Sequence, residues 1–383
     1  MILKTFCYTL ALAVLILVLG NCNTQKHQSD LSIDLRWVES YPGDSHEKAT
    51  IGLQWILSYL GATNENDYYK EAISWQDSNI LTLKLDKLGF SLQATKAFTS
   101  LIEQMKEMDE YKQYKSIDLG YFVMQTFNNS WHYYEITGVP KKLEDFKSKY
   151  KFDNKDDFLL LPGESAVANG IRVLNIAKSD SIYDMAFMAK EGHGLIPSDF
   201  KTEEIEVFDF MENGQPRFAV YDIEGNLKNA GNKEISRAGK PAKCMWCHES
   251  MVAPLIKAKT NVEGYQNLER LQTLVKKKNR LLRGQQINGD SLFYWKNLKD
   301  HSLAELLYVL YEQPTLDRLK AESILLNIEL SIDSSQIKAN EEYGFYGLHL
   351  DSVIQRKYTT LDFHKNLHLS REEDNTTVNL LLD

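Results

Sequence analysis

Only four of the 383 residues are cysteine: Cys7, Cys22, Cys244 and Cys247. A small secreted disulfide scaffold spreads an even set of cysteines through a short chain. Here two lie in the first apolar stretch and two lie three apart, so that architecture is excluded. Basic charge is also scarce, with 44 Lys+Arg against 53 Asp+Glu and a formal net charge of −9. An acidic surface repels a polyanion and argues against DNA or RNA as a partner. The chain has no internal repeat, no low-complexity tract and no Gly-rich phosphate loop. Gly163-Glu164-Ser165 is not a nucleophile elbow, because position 167 is Val where a hydrolase requires Gly. What remains is globular: 43% hydrophobic, 11% aromatic and 25% charged residues. A chain of this length predicts two or three packed units.

The N-terminus reads as an export address. In residues 1–21 one positive charge, Lys4, precedes a run of uncharged, mostly apolar residues that ends at Cys22. The stretch Val18-Leu19-Gly20-Asn21-Cys22 resembles the lipobox of bacterial lipoproteins. Asn21 departs from the small residue usual before that cysteine. The resemblance implies cleavage before Cys22, lipidation of Cys22 and anchoring to a lipid membrane. The competing reading is an uncleaved spanning helix, for which the run is slightly short. Asn23, where Asp would signal retention in some bacteria, favours the outer membrane, with the protein facing the periplasm. A polar tether over 22–45 follows.

Between 46 and 235 the pattern predicts an α+β domain. Helices are expected over 47–61, 94–113 and 117–127, and strands over 158–161, 171–176 and 183–189. The clearest hairpin runs up through Ile205, Val207, Phe208 and Phe210 to Asn213-Gly214 and back through Phe218, Val220 and Tyr221. Beyond it, residues 236–330 read as a mainly helical region, with helices over 262–283, 301–311 and 315–327. Residues 331–383 form a C-terminal extension.

The chemistry sits at 244–248, Cys-Met-Trp-Cys-His. On a helix, positions three and four apart share a face. Cys247 follows Cys244 by three and His248 follows it by four, so two thiols and one imidazole can point the same way. This segment resembles the c-type cytochromes, whose haem-attachment sequence is Cys-x-x-Cys-His. The resemblance covers some 40 residues. It implies one covalent haem c on Cys244 and Cys247, His248 as an axial ligand of the iron, and a cytochrome-c-like helical fold around them. Export fits, since c-type haem is attached outside the cytoplasm. Three other readings remain: a thioredoxin-like redox pair, which usually carries Trp where Lys243 stands; a zinc site, which lacks a second pair of ligands; and a plain disulfide or free thiols.

The sixth iron position decides what such a haem does. The common small cytochromes supply a methionine well downstream, but the last methionine here is Met251, three residues after His248. His193, flanked by Gly192 and Gly194, is the leading distal candidate. His301, His349, His364, His368, Met185, Met188 and Met211 are others, and an open site is a further possibility. A six-coordinate haem implies one-electron transfer to an envelope redox partner, whereas an open one implies a haem enzyme or a gas or peroxide sensor. The sequence therefore favours an electron carrier over a catalyst. The basic run Lys276, Lys277, Lys278, Arg280 and Arg283 reads either as the wet side of a helix or as a face for an acidic partner.

Overall fold

A computed structural model describes residues 31–37, 45–63, 71–165, 168–232, 234–236, 239–248, 252, 260–288 and 379–381. The lipobox, Cys7 and Cys22, the helices expected over 301–311 and 315–327, and His301, His349, His364 and His368 lie outside these residues.

The first layer is a four-stranded sheet in the order β2-β3-β1-β4. Its strands are β1 (Ser32–Arg36), β2 (Ile73–Trp75), β3 (Ile80–Lys84) and β4 (Ile117–Asp118). β1 lies inside the stretch read from sequence as tether. It alternates strictly, with Ile33 and Leu35 buried, and pairs antiparallel with β3 and parallel with β4. α1 (His46–Tyr59) meets this sheet through His46, whose ring stacks on Trp75 of β2 at 3.9 Å, and α2 (Leu92–Glu107) follows. Ser91 caps α2 by accepting the Ala94 N–H at 3.1 Å. The helix expected to run on to residue 113 breaks at Met108, whose extended backbone separates α2 from α3 (Asp109–Tyr114). The helix expected from 117 starts only at α4 (Leu119–Val123), because Ile117 is taken by the pairing with Leu35. A π turn over Met124–Asn128 leads to α5 (Ser130–Thr137), which Asn129 caps through the Trp131 and His132 amides. α6 (Leu143–Ser148) follows.

The second layer is a five-stranded antiparallel meander: β5 (Asp157–Leu160), β6 (Ile171–Ile176), β7 (Phe187–His193), β8 (Lys201–Phe210) and β9 (Pro216–Tyr221). The expected hairpin is β8–β9, and Gly214 takes φ 80° in its turn. The strand expected over 183–189 forms later, at 187–193. Gly192 sits at a bulge where a β-carbon would come within 1.9 Å of the Lys201 carbonyl oxygen, so only glycine lets β7 and β8 approach there.

α5 covers the open edge of β9. The Tyr133 hydroxyl accepts the Phe218 N–H at 3.2 Å, and the Tyr134 hydroxyl accepts the Val220 N–H at 3.3 Å while donating to the Lys228 carbonyl at 2.7 Å. Arg217 pairs with Asp209 and donates to the Thr137 and Gly138 carbonyls, tying the end of α5 to the meander. The hairpin tip reaches the first layer: buried Asn213 donates to the Ser58 and Ala62 carbonyls at 2.7 and 2.8 Å. One continuous apolar core runs through both layers.

The mainly helical, cytochrome-like region is not found. Among the described residues of 236–330 there are two helices, α7 (Pro241–His248) and α8 (Leu268–Asn288). α7 packs on β9, α5 and the π turn, so the wall beside the Cys-x-x-Cys-His helix is a β-sheet. The misreading has a local cause: helical periodicity after residue 241 is genuine, but the partner that buries it comes from strands far upstream.

Candidate functional site

α7 starts at Pro241, whose fixed φ and missing N–H suit a first helical position. It is helical without interruption through His248, so Cys244, Cys247 and His248 fall within about one turn. Cys244 is half-buried, joins no disulfide, and has its Sγ 3.8 Å from the Lys240 carbonyl oxygen. His248 is also half-buried, with its Nδ1 atom buried. Its ring lies 4.8 Å from the Phe208 ring and 5.4 Å from the Phe218 ring, both tilted. Phe187 stacks on the far side of Phe208 at 4.2 Å. The face of the meander towards α7 is therefore aromatic, and α7 presents Cys244 and His248 from the same turn.

The same sheet face continues into charge. Along β8, Phe208, Glu206 and Glu204 project together on one face, and the buried Ile205 and Val207 lie on the other. Glu191 of β7 stands directly opposite Glu204, and Arg172 of β6 directly opposite Glu191. Arg172 binds Glu191 through its Nε and Glu206 through Nη2 at 2.8 Å. The Glu204 carboxylate accepts from Lys228 Nζ at 3.0 Å and from the Asn232 N–H at 2.8 Å. Ser236 donates to Glu206 at 2.6 Å. Burial pushes the Glu191 carboxyl up to about 8 in spite of Arg172, with Glu206 and Glu204 adding to the rise. Glu204 is raised for the same reason. Burial lowers the Arg172 pKa, but Glu191 and Glu206 reverse that and hold it above the ordinary value, with Cys244 adding to the rise. Cys244 is thus within electrostatic reach of this cluster. None of these charged residues was singled out from the sequence.

Cys244, Cys247 and His248 fall within about one helical turn, the spacing that a covalently held haem would use, and Phe208 and Phe218 give the adjoining sheet face apolar surface. Among the described residues, no group of three His, Cys, Asp or Glu side chains is arranged to hold a bare metal ion.

His193 is not brought to this place. It ends β7 six residues beyond Phe187, about 20 Å along the strand. Its Nε2 meets Glu203 at 2.7 Å and its side chain is 69% exposed. Of the methionines considered, Met188 lies on the opposite sheet face from Phe187, and Met185 and Met211 are buried in the core. The basic run divides rather than forming one face. Lys278 is buried and donates to the Ser179 carbonyl and hydroxyl at 2.7 Å, Lys277 pairs with Asp180 at 2.6 Å, and Lys276 and Arg280 are exposed.

No known family model matches the chain, and no curated protein or solved structure is similar to it. Among the described residues, no helix is long and apolar enough to cross a membrane.

Proposed function

We propose that this chain is an exported c-type haem protein that transfers single electrons to a redox partner in the bacterial cell envelope. It carries one haem on Cys244 and Cys247, with His248 on the iron, and is anchored to the outer membrane through a lipid on Cys22. The observation that supports this most is the unbroken α7 turn, which brings Cys244 and His248 half-buried to an aromatic sheet face. When bound, the haem supplies a one-electron iron couple. Phe208 and Phe218 exclude water from the imidazole side, and the hydrogen bonds that the Phe218 and Val220 N–H groups of β9 donate to the Tyr133 and Tyr134 hydroxyls hold the sheet in place beside the helix. Tight packing of this kind limits rearrangement when charge changes, which suits a carrier.

The test is haem staining of the exported full-length protein after denaturing electrophoresis. The wild type is expected to stain and the Cys244→Ala/Cys247→Ala double variant to lose the stain. A double variant that stains equally, or a wild type that never stains when exported beside a working haem-attachment system, overturns the reading.

A second reading, a haem enzyme or gas sensor with an open sixth position, is favoured by one observation. Every other histidine among the described residues is engaged elsewhere: His193 with Glu203, His132 with Gln125 and Leu380, and His46 with Ser78 and the Trp75 ring. Rapid binding of carbon monoxide to the reduced protein supports this second reading, and its absence supports the carrier.

A further inference from the structure

The buried charges beside α7 exceed what the fold requires. Glu191 and Glu204 have no exposed surface, and they face one another across a β-strand pair. Directly opposed like charges are destabilising, and two fully buried carboxylates in register on neighbouring strands do not both ionise at little cost. The described partners leave part of each group unmet. Glu191 Oε2 and Glu204 Oε1 are buried and accept no hydrogen bond. An ionised carboxylate accepts only, whereas a protonated one donates, so one proton on the pair removes one buried charge and gives that carboxyl a donor.

The surroundings are fixed on every side. β6 contributes Arg172, β8 contributes Glu206, the segment after β9 contributes Lys228, Asn232 and Ser236, and α7 contributes Cys244. Lys240 is buried one residue beyond Gly239, whose carbonyl accepts the Gly231 N–H. A β-carbon on Gly231 would lie 3.3 Å from Glu204 Oε1 and 3.6 Å from Glu206 Oε1, so this segment closes over these two carboxylates.

We propose that Glu191 and Glu204 hold one buried proton between them, and that it is taken up and released as the α7 site is reduced and oxidised. This rests on the haem reading above. The balance is one electron delivered to the iron by a one-electron donor protein and one proton taken from solvent onto the Glu pair, with both leaving on oxidation. The physical cause is charge compensation. An electron arriving beside Cys244 raises the cost of an ionised carboxylate on the same sheet face, and little water is present to screen it.

The test is infrared difference spectroscopy of the full-length holoprotein, combined with a redox titration across pH. A carboxylic-acid C=O band that shifts in D2O and changes on reduction is expected in the wild type. The midpoint potential is expected to fall with rising pH over the alkaline range in which the pair deprotonates. Glu191→Gln and Glu204→Gln should each remove the band and flatten that dependence. Should either variant fail to fold, the wild-type D2O shift and potential–pH curve decide alone. A carboxylic-acid band that ignores reduction, together with a flat wild-type curve, overturns the linkage. The absence of any such band at neutral pH overturns the shared proton. If the exported protein carries no haem, the haem reading fails and the linkage with it, while the band still reports on the proton separately.

Discussion

The imidazole of His248 and the ring of Phe208 lie 4.8 Å apart, tilted by 50°. One belongs to the helix that carries the cysteines and the other to a strand 40 residues earlier. That contact places α7 against a sheet.

Phe208→Ala should strip the aromatic wall from the imidazole. Phe208 is almost fully buried and touches Phe187, Phe218 and His248. Truncation should cost about 3–5 kcal/mol, the usual range for a buried phenylalanine. Urea unfolding measures it. A loss under about 1 kcal/mol would mean that the helix does not lean on this residue.

Tyr134→Phe should leave the Val220 N–H and the Lys228 carbonyl without their hydroxyl partner. Both are in the seam between α5 and the edge of β9. A loss of about 1–3 kcal/mol is expected, with hydrogen exchange at Val220 accelerated more than at the β6 and β7 amides. Uniform acceleration would argue against a local edge seal.

Acid should weaken the protein through His132. This fully buried ring takes the Leu380 N–H at 2.9 Å on Nε2 and meets the Gln125 carbonyl through Nδ1. Burial lowers its pKa to about 4, only partly offset by the Gln125 bond. The unfolded chain takes the proton at about 6.5 and the folded one only near 4, so unfolding consumes a proton between these values. Stability is therefore complete above about pH 6.5 and falls as pH drops towards 4, by about 3 kcal/mol for this residue. His132→Gln should flatten that part of the stability–pH curve. An unchanged curve would remove His132 as the cause.

Cys22→Ala should block lipidation and leave a precursor that retains the apolar leader. Metabolic labelling with a fatty acid, followed by electrophoretic size, checks this. Normal acylation of the variant would sink the anchor assignment.

The sequence made some features visible and hid others, for physical reasons. Asn213-Gly214 between apolar runs marked the β8–β9 turn because its local chemistry suffices. The helical spacing of Cys244, Cys247 and His248 was legible for the same reason. The surroundings of α7 were not, since they depend on contacts made across the chain. Ile205 and Phe208 read as one apolar strand, yet they face opposite sides of the sheet. Glu204 and Glu206 on the same strand carried no signal in the sequence, because their partners Arg172 and Lys228 come from distant segments. β1 was missed because a five-residue alternation is short, and only its pairing with β3 and β4 makes it central.

That central position of β1 sets a leash. Nine residues, 23–31, separate Cys22 from Ser32, where the strand begins. Even drawn out fully they span no more than about 35 Å. If the proposed lipid on Cys22 is present, the tethered molecule patrols a thin shell over the bilayer, and a partner under the proposed function would have to meet it there.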